Sequence, residues 1–202
     1  IISMCEDLMM DPELRGHILA ITNRNLCSRP FEEQVRRICC FHPAALILRE
    51  KDLPDAEYGE LAKEVMKICR EYQVPFIPHS FMETARQLGA DKIHLPLWRL
   101  REASGTGLLD GFKTIGVSVH SVEEALEAEA LGASYLIAGH IYATDCKKGL
   151  PARGTGFLRA VCEAADIPVY GIGGIHLDEA QIKEVLGCGA AGGCIMSGMM
   201  RV

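Results

Sequence analysis

The chain has 202 residues, of which 49% are apolar and 24% charged, and this balance is ordinary for a folded globular protein. Its formal net charge of -6 argues against a general nucleic-acid-binding protein, because such proteins are usually basic. No apolar run approaches the ~20 residues of a membrane-spanning helix, so we expect no membrane partner. The length predicts one domain over residues 1–202, with a substantial core.

The nine cysteines are scattered along the chain, and no C-x-x-C pair occurs among them. Such a pattern is typical of free thiols that pack as small apolar side chains in a reducing compartment. We therefore expect a cytoplasmic protein without a zinc site. Acidic residues near the start of the chain, where a secretory signal would carry basic ones, also favour the cytoplasm.

Apolar runs of strand length recur along the chain and alternate with segments of helical periodicity. The predicted strands span residues 17–22, 44–48, 74–79, 92–95, 114–119, 135–138, 167–172 and 193–196. The predicted helices span residues 31–41, 55–72, 82–88, 122–131, 157–165 and 179–186. The stretch 96–111 reads as irregular, with at most a weak helix.

Recurring strand–helix units with short turns favour a parallel sheet with right-handed crossovers. Eight such strands predict an α/β protein with a (β/α)8 TIM barrel as its single domain. The chain is short for that fold, which typically takes ~250 residues. Because only five residues follow Ser197, we expect the eighth helix to be short or missing. An open doubly wound sheet is the alternative fold.

The most distinctive stretch is YLIAGHIYATDCKKGLPARG at positions 135–154, where an apolar strand runs into a basic, glycine-rich loop. In a parallel α/β protein, such a loop at the end of a strand is typical of a site for an anionic small molecule. His140 and Lys147 lie in this loop. A solvated surface loop without a special function is the alternative that these residues leave open.

In a barrel of this kind the active site lies at the carboxyl ends of the strands. The side chains that follow the predicted strands are rich in histidine and cationic groups, namely Asn23, Arg49, Lys51, His79, His94, His120 and His140. Gly173 and Gly174 follow strand seven, and Ser197 and Gly198 follow strand eight. Glycine N–H groups and a serine hydroxyl at these places are typical of a barrel phosphate site, although tight turns also need glycine.

His120 directly precedes Ser121 and Glu124, which form an S-x-x-E capping box at the start of a predicted helix. We therefore expect a rigid backbone there, with the imidazole directed into the mouth of the barrel. An imidazole titrates near neutral pH, so it can both remove and return a proton. A histidine that merely satisfies its hydrogen bonds at a strand end is the alternative.

Three stretches resemble the thiamine-phosphate synthase superfamily: IGVSVHSVEEALEAEALGASYLIAGHIYATDCKKG at 115–149, LREKD at 48–52 and GIGGI at 171–175. The thiazole tautomerase branch matches best, because SVHS and GH-[IV]-[FY]-x-TD-C-KKG are characteristic of it. By this resemblance, synthases typically carry Gln, Asn-Asp and a further Asp where this chain has Ile47, His79-Ser80 and Trp98-Arg99. Those carboxylates would hold the magnesium that neutralises a diphosphate.

The resemblance implies a tautomerase of thiamine biosynthesis that uses no metal and no other cofactor. Its substrate would be a carboxythiazole phosphate with an exocyclic double bond, and a proton would move from ring C2 to the side chain. His120 would be the catalytic base and then the acid. The phosphate would be bound by Gly173, Gly174, Ser197 and Gly198, and other parts of the substrate by Arg49, Lys51, His140 and Lys147.

Two other functions stay open at this point. The first is a thiamine-phosphate synthase, which joins a pyrimidine diphosphate to a thiazole phosphate. The second is a non-catalytic regulatory barrel that binds a phosphate ligand. For all three functions we expect a small-molecule ligand and neither nucleic acid nor membrane as a partner. The resemblance suggests a homodimer.

Overall fold

The computed structural model describes residues 10–202, which form a barrel of eight parallel strands. The strands are β1 (Ile18–Ile21), β2 (Ala45–Leu48), β3 (Phe76–Pro78), β4 (Lys92–Pro96), β5 (Thr114–Val119), β6 (Tyr135–Gly139), β7 (Val169–Ile172) and β8 (Gly192–Ile195). Their order in the sheet is β3-β2-β1-β8-β7-β6-β5-β4, and a parallel bridge between His79 and His94 joins its two edges. The predicted barrel is confirmed, and the open doubly wound sheet is wrong.

Helices alternate with the strands on the outside of the barrel. They are α1 (Pro12–Arg15), α2 (Phe31–Phe41), α3 (Asp55–Glu71), α4 (Met82–Gln87), α5 (Leu97–Ala103), α6 (Val122–Ala130), α7 (Gly154–Ala164) and α8 (Glu179–Gly187). Helix α1 precedes β1, and each of the other helices connects two consecutive strands. After β8 the described chain makes a turn over residues 197–200 and no further helix, in line with the prediction.

The strands bury apolar side chains on both faces, because successive residues of a strand point to opposite sides of the sheet. In β1, Leu19 and Ile21 belong to a small cluster inside the barrel, together with Ile47 of β2. Ile18 and Ala20 belong to the larger cluster between the strands and the helices. This double burial explains why the strands appear in the sequence as continuous apolar runs.

Helix α5 lies in the stretch that the sequence predicts as irregular, so that prediction is wrong. Its buried side chains, Leu97, Leu100 and Ala103, recur every three residues and form a narrow apolar stripe. A sequence window of 11–18 residues also includes the neighbouring glycines and charged residues, so the helical periodicity of this short stripe does not stand out. Helix α7 also begins earlier than predicted, at Gly154.

No helix among residues 10–202 is long and apolar enough to cross a membrane. Cys39 and Cys69 are buried free thiols whose sulfur atoms lie 3.8 Å apart. Cys40 departs from the expected pattern of free thiols, because it is disulfide-bonded. The acidic start of the chain, on which part of the compartment prediction rests, lies largely outside the described residues.

Candidate active site

The loop after β2 is fixed to the end of β1 by its own acidic side chains. The carboxylate of Glu50 is buried and accepts the backbone N–H of Arg24. The guanidinium of Arg24 donates two hydrogen bonds, at 2.7 and 2.8 Å, to Asp52 and lowers the pKa of that carboxyl to about 2. Burial raises the pKa of Glu50. The acidic members of LREKD therefore shape the loop, and its basic members, Arg49 and Lys51, are left for the site.

A cavity of about 640 Å³ opens between the carboxyl ends of β2, β3, β4 and β5, and we call it the β2–β5 cavity. Its cationic wall residues are Arg49, Lys51 and Arg99, and its carboxylates are Asp55 and Glu83. The Trp98 side chain lies on its rim and is 57% exposed. Cationic groups around an aromatic wall suit a small, planar, anionic ligand.

The chain leaves β3 through an unusual turn. Ser80 has a φ of 71°, a region that non-glycine residues rarely adopt. The N–H of Phe81 donates to the His79 carbonyl at 3.0 Å, and this bond across one residue of positive φ matches the rare form of γ-turn. The N–H of Ser80 donates to the His94 carbonyl at 2.9 Å and anchors the turn to β4. Such backbone strain is commonly found at functional sites.

This turn places the His79 imidazole in the wall of the β2–β5 cavity. Its Nδ1 lies 2.8 Å from the Ser80 hydroxyl oxygen. The backbone N–H of His79 donates to the Tyr58 hydroxyl at 3.0 Å. Burial, followed by the charges of Arg49 and Lys51, lowers the pKa of His79 to about 3. The imidazole is therefore neutral at ordinary pH.

A second neutral imidazole lies beneath the first, inside the barrel. The rings of His79 and His94 stack with centroids 5.4 Å apart. The His94 nitrogens lie 3.0 Å from the Tyr135 hydroxyl and 2.8 Å from the Ser118 hydroxyl, so both have partners. Burial lowers the pKa of His94 and raises that of Tyr135. The layer of side chains beneath the cavity is thus polar but uncharged.

The glycines after β7 permit a close approach of the loop after β6. Gly173 and Gly174 have φ values of 100° and 67°. A Cβ atom at Gly173 would lie 2.3 Å from the Cβ of His140, and one at Gly174 would lie 2.5 Å from the carbonyl oxygen of Ala143. The Tyr142 N–H donates to the Gly173 carbonyl at 2.9 Å. This packing alone requires glycine at both positions, so their binding of phosphate stays a prediction.

One ring nitrogen of His140, next to these glycines, is buried without a hydrogen-bond partner among the described residues. Its side chain is buried, with 9% of the residue exposed, and its Nε2 has no hydrogen-bond partner among residues 10–202. Leaving such an atom unpaired costs about 1–3 kcal/mol, so a ligand group that pairs with it would recover that energy. Lys147 lies in the exposed turn Asp145–Lys147. Ser197 and Gly198 lie in the turn after β8.

The sequence profile described as thiamine monophosphate synthase matches residues 18–199, nearly the whole barrel. The chain belongs to the thiamine monophosphate synthase family. The thiamine-phosphate synthase of Clostridium acetobutylicum is 38% identical over 158 residues, which cover 76% of this chain and 72% of the relative. That of Pyrococcus horikoshii is 35% identical over 185 residues, which cover 89% and 84%.

A solved structure of the family has the same fold. The thiamine phosphate pyrophosphorylase from Pyrococcus furiosus superposes with a TM-score of 0.77 at 31% identity, over 95% of this chain and 91% of that one. The names of these relatives, two thiamine-phosphate synthases and one thiamine phosphate pyrophosphorylase, are those of enzymes. The expected superfamily, its fold and its link to thiamine biosynthesis are therefore confirmed, whereas the relatives' names do not identify the tautomerase branch.

Within this family fold, His120 lies between β5 and α6. Its side chain is 52% exposed, and its Nδ1 lies 3.3 Å from a carboxylate oxygen of Glu124. The Glu124 N–H donates to the Ser121 hydroxyl at 3.0 Å, so the predicted N-cap is confirmed. The Glu124 carboxylate in turn accepts the backbone N–H of His120 at 2.6 Å. His120 is not among the residues that line the β2–β5 cavity.

The magnesium site of a synthase fits poorly with the residues of this cavity. Ile47 is fully buried inside the barrel, His79 is neutral, and Arg99 pairs with Glu102 at 3.0 Å. Across residues 10–202, no three or more His, Cys, Asp or Glu side chains are grouped so that they could hold a metal ion. The positions at which the resemblance places a synthase's polar and acidic groups thus carry apolar, neutral and cationic ones.

The structure brings together residues that sequence reasoning missed. Arg49 and Lys51 line the β2–β5 cavity, and their binding of substrate stays a prediction. Ser80, Trp98 and Ser118 join them there without having been predicted as site residues. No residue pattern around Ser80 predicts its positive φ. An exposed aromatic side chain on an undetected helix is equally hard to recognise.

Proposed function

We propose that the protein is a metal-independent isomerase of thiamine biosynthesis, a thiazole tautomerase that converts a carboxythiazole phosphate into its aromatic tautomer. The observation that carries the proposal is the chemistry of the β2–β5 cavity wall. Arg49, Lys51 and Arg99 offer positive charge to a ligand's acidic groups, while His79 and Ser80 stand where the resemblance places a synthase's Asn-Asp. A wall of this kind suits a substrate that brings its own negative charge and needs no metal.

The reaction requires two things of the protein: a residue that transfers the proton and a site that binds the anionic substrate. Aromatisation supplies much of the driving force, so one positioned imidazole can take the proton from C2 and return it to the exocyclic carbon. His120 is the proposed carrier. The adjacent Glu124 carboxylate, 3.3 Å from Nδ1, would orient the ring.

The phosphate is proposed to bind at the ends of β7 and β8. Gly173, Gly174, Ser197 and Gly198 supply backbone N–H groups and a hydroxyl there. The Cβ of His140 packs against Gly173, and its Nε2 has no hydrogen-bond partner among residues 10–202, which supports a ligand at this side of the mouth. Lys147 would reach the ligand from the exposed loop.

A thiamine-phosphate synthase is the second candidate, and the names of the relatives favour it. Asp55 and Glu83 on the cavity wall are the carboxylates that such an activity would have available. Magnesium is often held by one or two carboxylates together with substrate phosphates, so the two candidates have to be separated by experiment.

The decisive experiment follows both reactions with the same preparation. The non-aromatic carboxythiazole phosphate is added with EDTA or with magnesium, and formation of the aromatic ring is followed by absorbance and by the C2 proton signal. We expect turnover that is equal under both conditions. Magnesium-dependent release of pyrophosphate from a pyrimidine diphosphate and thiazole phosphate would instead identify a synthase. Tight binding of the thiazole phosphate without either reaction would identify a regulatory barrel.

Oligomeric state and cellular compartment are proposed on the resemblance alone. By the same resemblance we propose a cytoplasmic homodimer that binds neither nucleic acid nor membrane. Sedimentation equilibrium of the purified protein tests the dimer, since a single species with the mass of one chain would contradict it. Fractionation of the source cells tests the compartment.

A further inference from the structure

The mechanism proposed above leaves the His79 imidazole unused, although it lies in the wall of the β2–β5 cavity. Its Nδ1 is engaged by the Ser80 hydroxyl at 2.8 Å, and its backbone N–H by the Tyr58 hydroxyl at 3.0 Å. Its other ring nitrogen, Nε2, has no hydrogen-bond partner among residues 10–202. The ring is therefore held at one edge, and the opposite edge is available to a ligand.

The groups around His79 determine the charge of its imidazole. Arg49 and Lys51 approach from the β2 loop, and His94 lies beneath the ring on β4. The Tyr58 hydroxyl of α3 accepts the backbone N–H of His79. Burial is the main reason that the imidazole stays neutral, and these neighbours, which are cationic or uncharged, add to its effect. The Ser80 hydroxyl can accept from Nδ1–H or donate to a bare Nδ1. In the second arrangement the neutral imidazole carries its proton on Nε2. In a cavity that attracts anions, this is the tautomer that places a donor toward the ligand.

We propose that His79 is a further substrate-contacting residue, a neutral imidazole whose Nε2–H donates a hydrogen bond to the carboxylate of the ligand ring. The identity of that carboxylate rests on the proposed function. Ser80 is then a positioning residue, because its hydroxyl sets the tautomer and its γ-turn sets the direction of the ring. The positive φ of Ser80 occurs at the residue that makes this contact, and such strain is commonly found at functional sites.

A neutral hydrogen-bond donor makes binding more selective than a cationic side chain does. Arg49 and Lys51 attract any anion, including phosphate, whereas a fixed N–H recognises an oxygen at one place and direction. His79 would thus discriminate between thiazole phosphates with and without a carboxylate. This discrimination should not change between pH 5 and pH 8, because the imidazole does not gain a proton in that range.

Calorimetric titration with two probes tests the contact: the aromatic carboxythiazole phosphate and the thiazole phosphate that lacks the carboxylate. We expect His79→Phe, which keeps a ring over His94, to weaken binding of the carboxylate probe about ten- to a hundredfold, as for a hydrogen bond to a charged group. Binding of the other probe should change less than about twofold. His79→Gln, which retains an N–H donor, should recover part of the loss, and Ser80→Ala should reproduce part of it.

The outcomes separate the two proposals. If the unaltered protein binds neither probe, the proposed function fails and the carboxylate contact with it. If both probes bind and His79→Phe weakens them alike or not at all, only the contact is overturned.

A spectroscopic measurement does not depend on whether His79→Phe folds. In protein labelled with ¹⁵N-histidine, we expect the His79 signals to show the Nε2–H tautomer and to remain unshifted from pH 5 to pH 8. The signals are assigned by comparison with His79→Gln. A ring that carries its proton on Nδ1, or that titrates in this range, overturns the inference.

Discussion

Gly116 provides the space that the Tyr135 ring occupies: a Cβ atom at Gly116 would lie 2.0 Å from Cζ and 2.2 Å from the hydroxyl of Tyr135. The same Cβ would lie 2.5 Å from Nδ1 of His94. The glycine on β5 thus allows the side chains of β4 and β6 to meet across it and to form their 3.0 Å hydrogen bond. Because Gly116 has no side chain, this polar pair can form beneath the β2–β5 cavity.

Gly116→Ala should destabilise the protein strongly. The added methyl group collides with two side chains inside a closed barrel, and overpacking of this kind costs about 1–3 kcal/mol or more. Urea unfolding measures the loss. Gly156→Ala is the matched control, because a Cβ atom at Gly156 would meet nothing within 4 Å among residues 10–202 beyond its own helix, α7. This control should change stability by less than about 1 kcal/mol. Equal stability of the two variants would contradict the packing described.

The two buried imidazoles make the folded state sensitive to acid. Burial lowers the pKa of both His79 and His94 below the ordinary value of 6.5, so below that pH the unfolded chain binds protons that the folded one does not. Stability must therefore fall as the pH falls. Between pH 7.5 and pH 5.5 we expect a loss of about 3 kcal/mol in the free energy of unfolding, measured with urea.

His94→Gln checks the source of this loss, because it removes one of the two groups. The decrease between the two pH values should then be about half as large, whatever the absolute stability of the variant. A protein that is as stable at pH 5.5 as at pH 7.5 would show that the imidazoles are not held neutral.

The sequence predicted the barrel well because each strand is buried on both faces and stands out as an apolar run. Helix α5 was missed because its stripe of Leu97, Leu100 and Ala103 is too narrow and short to detect. The contact of Tyr135 with His94 joins residues 41 positions apart, and no local pattern encodes it. LREKD was recognised as a motif in the sequence. Only the contacts of Arg24 show that its acidic residues hold the loop while its basic residues line the cavity.

The loop after β6 is expected to close over the ligand. Residues 145–153 are exposed and include Lys147, Lys148 and Arg153, so trypsin should cut the unliganded protein there. A carboxythiazole phosphate that pairs with Lys147 should slow this cleavage several-fold. Lys147→Gln should retain cleavage at the other two sites but lose most of the protection. Equal rates of cleavage with and without the ligand would count against a lid.

The proposed proton carrier gives the most specific prediction about activity. His120→Asn keeps a polar side chain but removes the titrating group, so it should lower kcat about 10²–10⁴-fold, as for a positioned acid–base residue. Phosphate affinity should hardly change. Stability should also be preserved, because the His120 side chain is 52% exposed and the Ser121–Glu124 cap remains.

His140 is the rival for this role, since it directly follows the adjacent strand β6 and its Nε2 has no hydrogen-bond partner among residues 10–202. Its position against Gly173 favours ligand binding, so His140→Asn should raise KM more than it lowers kcat. Single-turnover measurements on both variants separate the two effects. If His120→Asn keeps near-normal turnover while His140→Asn abolishes it, the proton is carried at the end of β6, and the assignment to His120 is wrong.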